Sequence, residues 1–192
     1  TDAAEGSFKA DRMMNAVLKN RKPNKLETMA EIKLYLGAYG AKWHFEHVNE
    51  KTGAPKMMDY VIIANSLKKV LHIANVKMLS SSKRDESKLM YWNPDTGLYE
   101  ESEATLTALM AECEPYVNTG LQSQALNTLR NTVEEKTVND WKDVVICGNG
   151  YFRQGVFHNF SHKDIFVNKL ATDYNADAIE CPTINGWNFD NW

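Results

Sequence analysis

The chain has 192 residues, 43% of them hydrophobic, with 22 Lys and Arg against 25 Asp and Glu and a net charge of -3. That is enough for one substantial core or two small ones, and the acidic balance excludes a dedicated basic nucleic-acid module, so any DNA contact must come from a local patch. No apolar run approaches the roughly 20 residues that span a bilayer, nothing at the start reads as a signal peptide, and Cys113, Cys147 and Cys181 are odd in number and far apart. The expectation is a cytoplasmic protein with no membrane association and no disulfide framework.

In chain order, Phe8 to Leu18 places Met13, Met14, Val17 and Leu18 at helical spacing. Lys19 to Lys25 is a basic, proline-broken link: a solvated loop, or a phosphate contact, because Lys and Arg displace counterions from DNA. Thr28 and Glu31 have capping-box spacing. Ile32, Leu36 and Tyr39 then form a helical stripe that Gly37 or Gly40 should stop. Lys42 to Val48 alternates, with Trp43, Phe45 and His47 on one face and His44 and Glu46 on the other, which predicts a strand. Asn49 to Lys56, with Gly53 and Pro55, is a polar turn. Asp59 caps a helix carrying Ile63, Leu67, Val70 and Leu71 inward and Lys68 and Lys69 outward. Helix, strand, turn, helix suits a small α/β or winged-helix-like unit, which would put the helix from Asp59 to Ile73 in a DNA groove. Ser80 to Ser87 reads as a linker, dividing the chain into 1–82 and 83–192.

Lys88 to Tyr99 is a hairpin around Asn93-Pro94-Asp95-Thr96-Gly97, where proline presets φ and glycine closes the turn. Ser102 opens a helix with Leu106, Leu109, Met110 and Cys113 inward, ended by Pro115. Asn118 opens another with Ala125, Leu126, Leu129 and Val133 on one side. Asp143 to Cys147 is apolar and β-branched, a buried strand, ending at Asn149-Gly150, where a reversal at positive φ is expected. A second turn falls at Arg153 to Gly155, Val156 to Phe160 follows, and Ile165, Val167 and Lys169 suggest a further strand. Tyr174 to Ala178 is an irregular exit. Trp187, Phe189 and Trp192 crowd the end and want a partner surface. The fold class is α+β, a helical/α-β lobe followed by a hairpin-helix-helix-β unit.

Chemistry-bearing patterns are scarce. No GxxxxGK[ST] phosphate loop is present, and Gly148, Gly150 and Gly155 serve a hairpin with no helix N-terminus after them to meet phosphate. The paired carboxylates of a polymerising primase would appear as Asp-x-Asp; Asp173 and Asp177 lie in loop-like sequence instead. His158 and His162 have finger-like spacing, but Cys147 and Cys181 beside them are isolated, unlike the close pairs of structural zinc. His44 and His47 would point to opposite faces of a strand. Ser161, His162 and Asp164 lack a nucleophile elbow. The expectation is a non-catalytic chain with no metal or cofactor of its own. Lys68, Lys69, Lys77, Lys83 and Arg84 form a basic zone followed by Tyr91, Trp92 and Tyr99, which either bind single strands by charge and stacking or pack the hairpin onto its helix.

A strand ending in Asn149-Gly150, a short hairpin, a polar link, a strand and Tyr174-Asn175-x-x-Ala178 resembles the N-terminal domain that precedes the superfamily 3 ATPase in phage and plasmid primase-helicases, the poxvirus primase-helicase group included. Leu89 to Tyr99 is similar to that domain's hairpin, and Ser102 to Cys113 to the helix after it. The resemblance runs from about Lys88 to the C-terminus; residues 1–87 match the leader of some Gram-positive phage primases. It implies an intact protein that continues past Trp192 into a ring-forming ATPase that unwinds DNA, using ATP and Mg that this chain does not bind. This domain would be a collar, adaptor or DNA-guiding element. Its partners would be DNA, through a weak basic patch, and the ATPase domain of the same protein or neighbouring subunits, in a homo-oligomer. The alternative is a stand-alone DNA-binding, winged-helix-like or protein-interaction module.

Overall fold

Residues 12–78, 87–138 and 143–177 are described by a computed structural model. Two units divide the described residues: 12–78 and 87–138 with 161–167, and 143–160 with 168–177. The fold class is α+β, as expected.

The first unit opens with α1 (12–20) and a 3-10 turn at Pro23–Lys25. α2 (Met29–Glu46) starts where two free amides find acceptors. Thr28 Oγ1 accepts from the Glu31 N–H at 3.1 Å, and Asp95 Oδ1, from a distant turn, accepts from the Met29 N–H at 3.1 Å. Glu31 reaches back to the Glu27 N–H rather than to that of Thr28, and also takes Arg21 at 2.7 Å. Orphan amides of a first turn need such acceptors.

The expectation that α2 stops at Gly37 or Gly40 and gives way to a strand at Lys42–Val48 is corrected: the helix runs through both glycines to Glu46. Once a helix is nucleated, each added residue gains a hydrogen bond. The aromatics that alternate along 42–48 also satisfy i,i+4 spacing, and Trp43 and His47 stack at 4.3 Å and 7°. Gly40 is there for helix contact, since a Cβ on it would lie 2.0 Å from the Cys113 carbonyl oxygen. With that strand goes the element order on which the winged-helix reading rested.

Asp59 Oδ1 accepts from the Val61 and Ile62 N–H groups, both at 2.9 Å, and opens α3 (Tyr60–Val70). β1 (Ile73–Lys77) and the hairpin β2 (Lys88–Asn93) and β3 (Leu98–Glu100) follow, then α4 (Glu103–Cys113), α5 (Thr119–Thr132) and β4 (Glu135–Thr137). Ser102 and Asn118 cap α4 and α5 as read from sequence. The sheet order is β3-β2-β1-β4, antiparallel except for the parallel pair β1 and β4. Ile73 lies opposite Tyr91, and Asn75 opposite Glu135. β1, with a neighbour on each side, has Ile73, Ala74 and Val76 buried. Ile32, Leu36, Ile63, Leu67, Leu106, Leu109 and Leu129 from all four long helices meet in one core with Tyr91. Residues 82 and 83, the expected boundary, lie outside the described residues, and β1 and β2 on either side of them pair in this one sheet.

Residues 161–167 belong to the same unit. The strand expected at Ile165 and Val167 is corrected: the segment is a link that begins with a turn at Ser161–Asp164 and joins no sheet. Phe166 O accepts one bond, from the Tyr99 N–H at 2.7 Å, and His162 O accepts from Tyr99 Oη at 2.8 Å. Burial of Ile165 and Phe166 anchors it.

The second unit is a three-stranded antiparallel sheet, β5 (Val144–Ile146), β6 (Tyr151–Arg153) and β7 (Val156–His158), in that order. Only Ile146 of β5 is buried; Val145 is 57% exposed, against the expectation of a buried strand. The hairpin between β6 and β7 has consecutive positive φ at Gln154 (52°) and Gly155 (77°), the pairing that matches strand twist. Asn149 and Gly150 are corrected, since neither has positive φ. The Cys147 N–H donates to Gly150 O at 2.7 Å across their turn. The Asn149 side chain binds the Tyr174 backbone twice, donating to its O and accepting from its N–H, both at 2.9 Å. The Gly148 N–H donates to Thr172 O at 2.8 Å, and Lys169 Nζ to Gly148 O at 2.6 Å. Asn-Gly here ties down the exit segment. Trp187 to Trp192 and Cys181 lie outside the described residues.

Gly150 remains intolerant, for a steric reason. A Cβ there would lie 2.4 Å from Phe157 Cζ and 2.5 Å from His158 O. Gly150→Val should therefore lower the urea midpoint of this unit by the equivalent of roughly 2 kcal/mol or more. Gly155→Ala meets nothing within 4 Å and should cost only about 1 kcal/mol of left-handed backbone strain. Equal midpoints for the two variants would show that Gly150 does not pack against β7.

Candidate nucleic-acid interface

Lys68 and Lys69 occupy the last turn of α3, where the negative end of the helix dipole favours cations. The chain then passes Leu71 and His72 into β1, beside the end of β2 at Trp92 and the turn at Pro94. Together with Lys25 from the 3-10 turn and His162 from the returning link, these residues line a groove of about 490 Å³. Lys25 and Leu26 continue into a neighbouring concavity with Arg21 and Lys22. Lys68 and His72 continue the other way toward Glu134 and Lys136.

The cations differ in their partners. Lys77 pairs with Glu135 at 2.9 Å, Lys136 with Glu134 at 2.8 Å and Arg21 with Glu31 at 2.7 Å. Among the described residues no carboxylate pairs with Lys22, Lys25, Lys68 or Lys69. Lys69 Nζ lies 5.7 Å over the Tyr39 ring, and Lys68 Nζ lies 3.3 Å from Thr132 Oγ1. Such contacts leave the positive charge uncompensated.

Between the lysines the groove wall is flat and aromatic. The His72 and His162 rings stack at 3.6 Å and 3°. Trp92 stands edge-on to both, 6.4 Å from His72 and 6.1 Å from His162. Burial first, then the nearness of His162 and Lys136, pushes His72 down to about 4; Glu134 opposes this. Burial, then Lys136 and Lys163, lowers His162. Both shifts favour the neutral ring, so the pair offers π faces and ring nitrogens while the lysines carry the charge. The Trp92 Nε1–H is buried with no acceptor among the described residues.

Of the residues expected to touch DNA, Lys68 and Lys69 meet in this groove, Lys77 is in its ion pair on β1, and Lys83 and Arg84 lie outside the described residues. Tyr91 and Tyr99 are buried in packing, at 2% and 1% exposure; Trp92 alone of the three lines the groove. Sequence reasoning missed His72, which carries no local motif, and read His162 only for metal-finger spacing and a triad, not for its place beside His72, remote in the chain. His158, in the second unit, stacks on Tyr151, and His162, in the first, stacks on His72. Among the described residues no group of three His, Cys, Asp or Glu is placed to hold a metal, and no helix is long and apolar enough to cross a membrane.

Compared with known proteins, residues 10–192 match the family model described as D5 N terminal like. No curated protein matches the chain.

Proposed function

Because the chain belongs to the D5 N terminal like family, the N-terminal domain of primase-helicases, we propose that it is a non-catalytic DNA-guiding element beside the ATPase ring of a phage or plasmid replication protein. The ATPase part, on the same protein or on neighbouring subunits, would supply ATP and Mg chemistry in the cytoplasm, and this domain would hold the strand. The observation that carries the reading is the groove in which Lys25, Lys68 and Lys69 stand, with no carboxylate paired to them among the described residues, beside an aromatic wall. Unpaired lysines gain most from phosphate, because binding releases counterions that no internal carboxylate has already displaced.

Anisotropy titration of a labelled oligonucleotide tests it. Lys68→Glu with Lys69→Glu should weaken binding about tenfold or more at low salt. It should also make log affinity less steep in log salt, by about 0.7 for each single-strand phosphate that the variant no longer neutralises. The weakening should be alike for all sequences, since phosphate contacts position rather than specify. Both lysines are exposed, so the urea midpoint should move by no more than about 0.5 kcal/mol. Absence of binding at low salt, or binding indifferent to the reversal, would remove DNA from this groove.

A further inference from the structure

We propose that the groove seats one unpaired nucleotide of a single strand, its base against the His72–His162 pair and its phosphate on Lys25, Lys68 and Lys69. This rests on the reading of the groove as a DNA interface and adds the state of the strand.

Three observations converge. The first is size. A cavity of about 490 Å³ is on the scale of a small-molecule site. One unpaired nucleotide enters such a space; a base pair inside a stacked duplex does not. The second is the wall. The two imidazoles lie parallel at 3.6 Å, so each has one face covered by the other and one remaining, and the perpendicular Trp92 closes the side. Unstacked bases are held on aromatic and histidine faces. Neutral rings do this without competing with the lysines for the phosphate, and their ring nitrogens can meet the edge of a base. The third is the Trp92 indole. Buried donors are nearly always satisfied, and an orphan calls for an unseen acceptor. With the nitrogen itself shielded from solvent, a base carbonyl or a phosphate oxygen supplies one by displacing the side chain that covers it.

The probes are a short oligo-dT, a duplex of the same length, and dTMP. The indole N–H resonance of Trp92 is identified in a 15N-labelled protein by its loss in Trp92→Phe. Oligo-dT should shift that resonance, and the duplex should leave it in place. His162→Ala should weaken oligo-dT binding about tenfold, the scale of one base–aromatic stack, with duplex binding unchanged. The backbone carbonyl of His162 that holds Tyr99 is retained in this variant. His162→Phe, which keeps a flat face, should restore the single-strand preference, so a loss in His162→Ala that Phe does not rescue counts against stacking. An equal shift from dTMP at matched nucleotide concentration would make this a free-nucleotide site and overturn the strand assignment. If charge reversal at Lys68 and Lys69 abolishes binding while His162→Ala leaves the strand preference intact, the seat falls and the DNA interface stands. If no nucleic acid binds, both fall.

Discussion

Gly40→Ala should destabilise the first unit by about 2 kcal/mol or more, although alanine is the better helix former by about 1 kcal/mol. The added Cβ would sit 2.0 Å from the Cys113 carbonyl oxygen, 2.8 Å from its carbon and 3.2 Å from its Cα. All three are backbone atoms, so no side chain can swing aside, and α2 must withdraw from α4 along a packed interface. Overpacking of that kind costs about 1–3 kcal/mol or more. Gly37, one turn earlier, is the internal control. Its Cβ would meet only Glu112 O, at 3.9 Å, an ordinary contact. Gly37→Ala should therefore keep the propensity gain and raise stability by up to about 1 kcal/mol. Urea midpoints at matched slopes report both. Two glycines on one helix giving effects of opposite sign is the signature expected; equal effects would mean that α2 and α4 do not cross at Gly40.

The second large effect is expected at Glu114, a carboxylate with 0% exposure just past the end of α4. Its oxygens accept from the Met58 N–H at 2.8 Å and the Tyr116 N–H at 3.0 Å. His44 Nε2 approaches to 3.2 Å. That approach is not aligned as a hydrogen bond. The other ring nitrogen of His44, Nδ1, is 2.9 Å from the carbonyl oxygen of Lys56 and must donate to it. One carboxylate thus ties α2, the residues before the Asp59 cap of α3, and the loop between α4 and α5. Glu114→Ala leaves the buried Met58 amide and the part-buried Tyr116 amide without an acceptor. Leaving a buried donor unsatisfied costs about 1–3 kcal/mol, more where the lost acceptor is charged, a large share of the 5–15 kcal/mol typical of a domain. Glu114→Gln keeps one acceptor oxygen and the shape, and should fall between. Glu101→Ala, which removes a half-exposed pair with Lys88, should change stability by no more than about 1 kcal/mol. Thermal unfolding followed by circular dichroism ranks the three; a Glu114→Ala variant as stable as Glu101→Ala would show that the carboxylate is not buried.

Several features were legible because short-range chemistry sets them. The caps at Thr28, Asp59, Ser102 and Asn118 bond amides two or three residues on, the Asn93–Gly97 turn closes on itself, and the inward stripes of α3, α4 and α5 repeat at the helical period. The outward face of α3 exposed Lys68 and Lys69 by the same rule, which is why half of the groove's chemistry could be read in advance. The resemblance carried by Asn149-Gly150 and Tyr174-Asn175 also led to the right family, although the reason for those residues is the pair of bonds between Asn149 and the Tyr174 backbone, not a positive φ.

Other features depend on residues that meet only after folding. Lys42–Glu46 alternates like a strand, yet stays helical because α2 continues along its neighbours and Trp43 finds His47 one turn on. Gly40 looked like a stop until α4 was laid against it. Nothing local in the sequence on either side of Ser80 to Ser87 encodes the pairing of β1 with β2. Tyr99 draws the link 161–167 back to the first unit through two hydrogen bonds, and only that return brings His162 onto His72. Sequence by itself determined the α+β class, the helix starts and the exposed lysines, since each follows from interactions spanning a few residues. Tertiary structure decided the length of α2, the sheet order and the imidazole wall of the groove, because each is set by a close approach between segments far apart in the chain, which no local periodicity encodes.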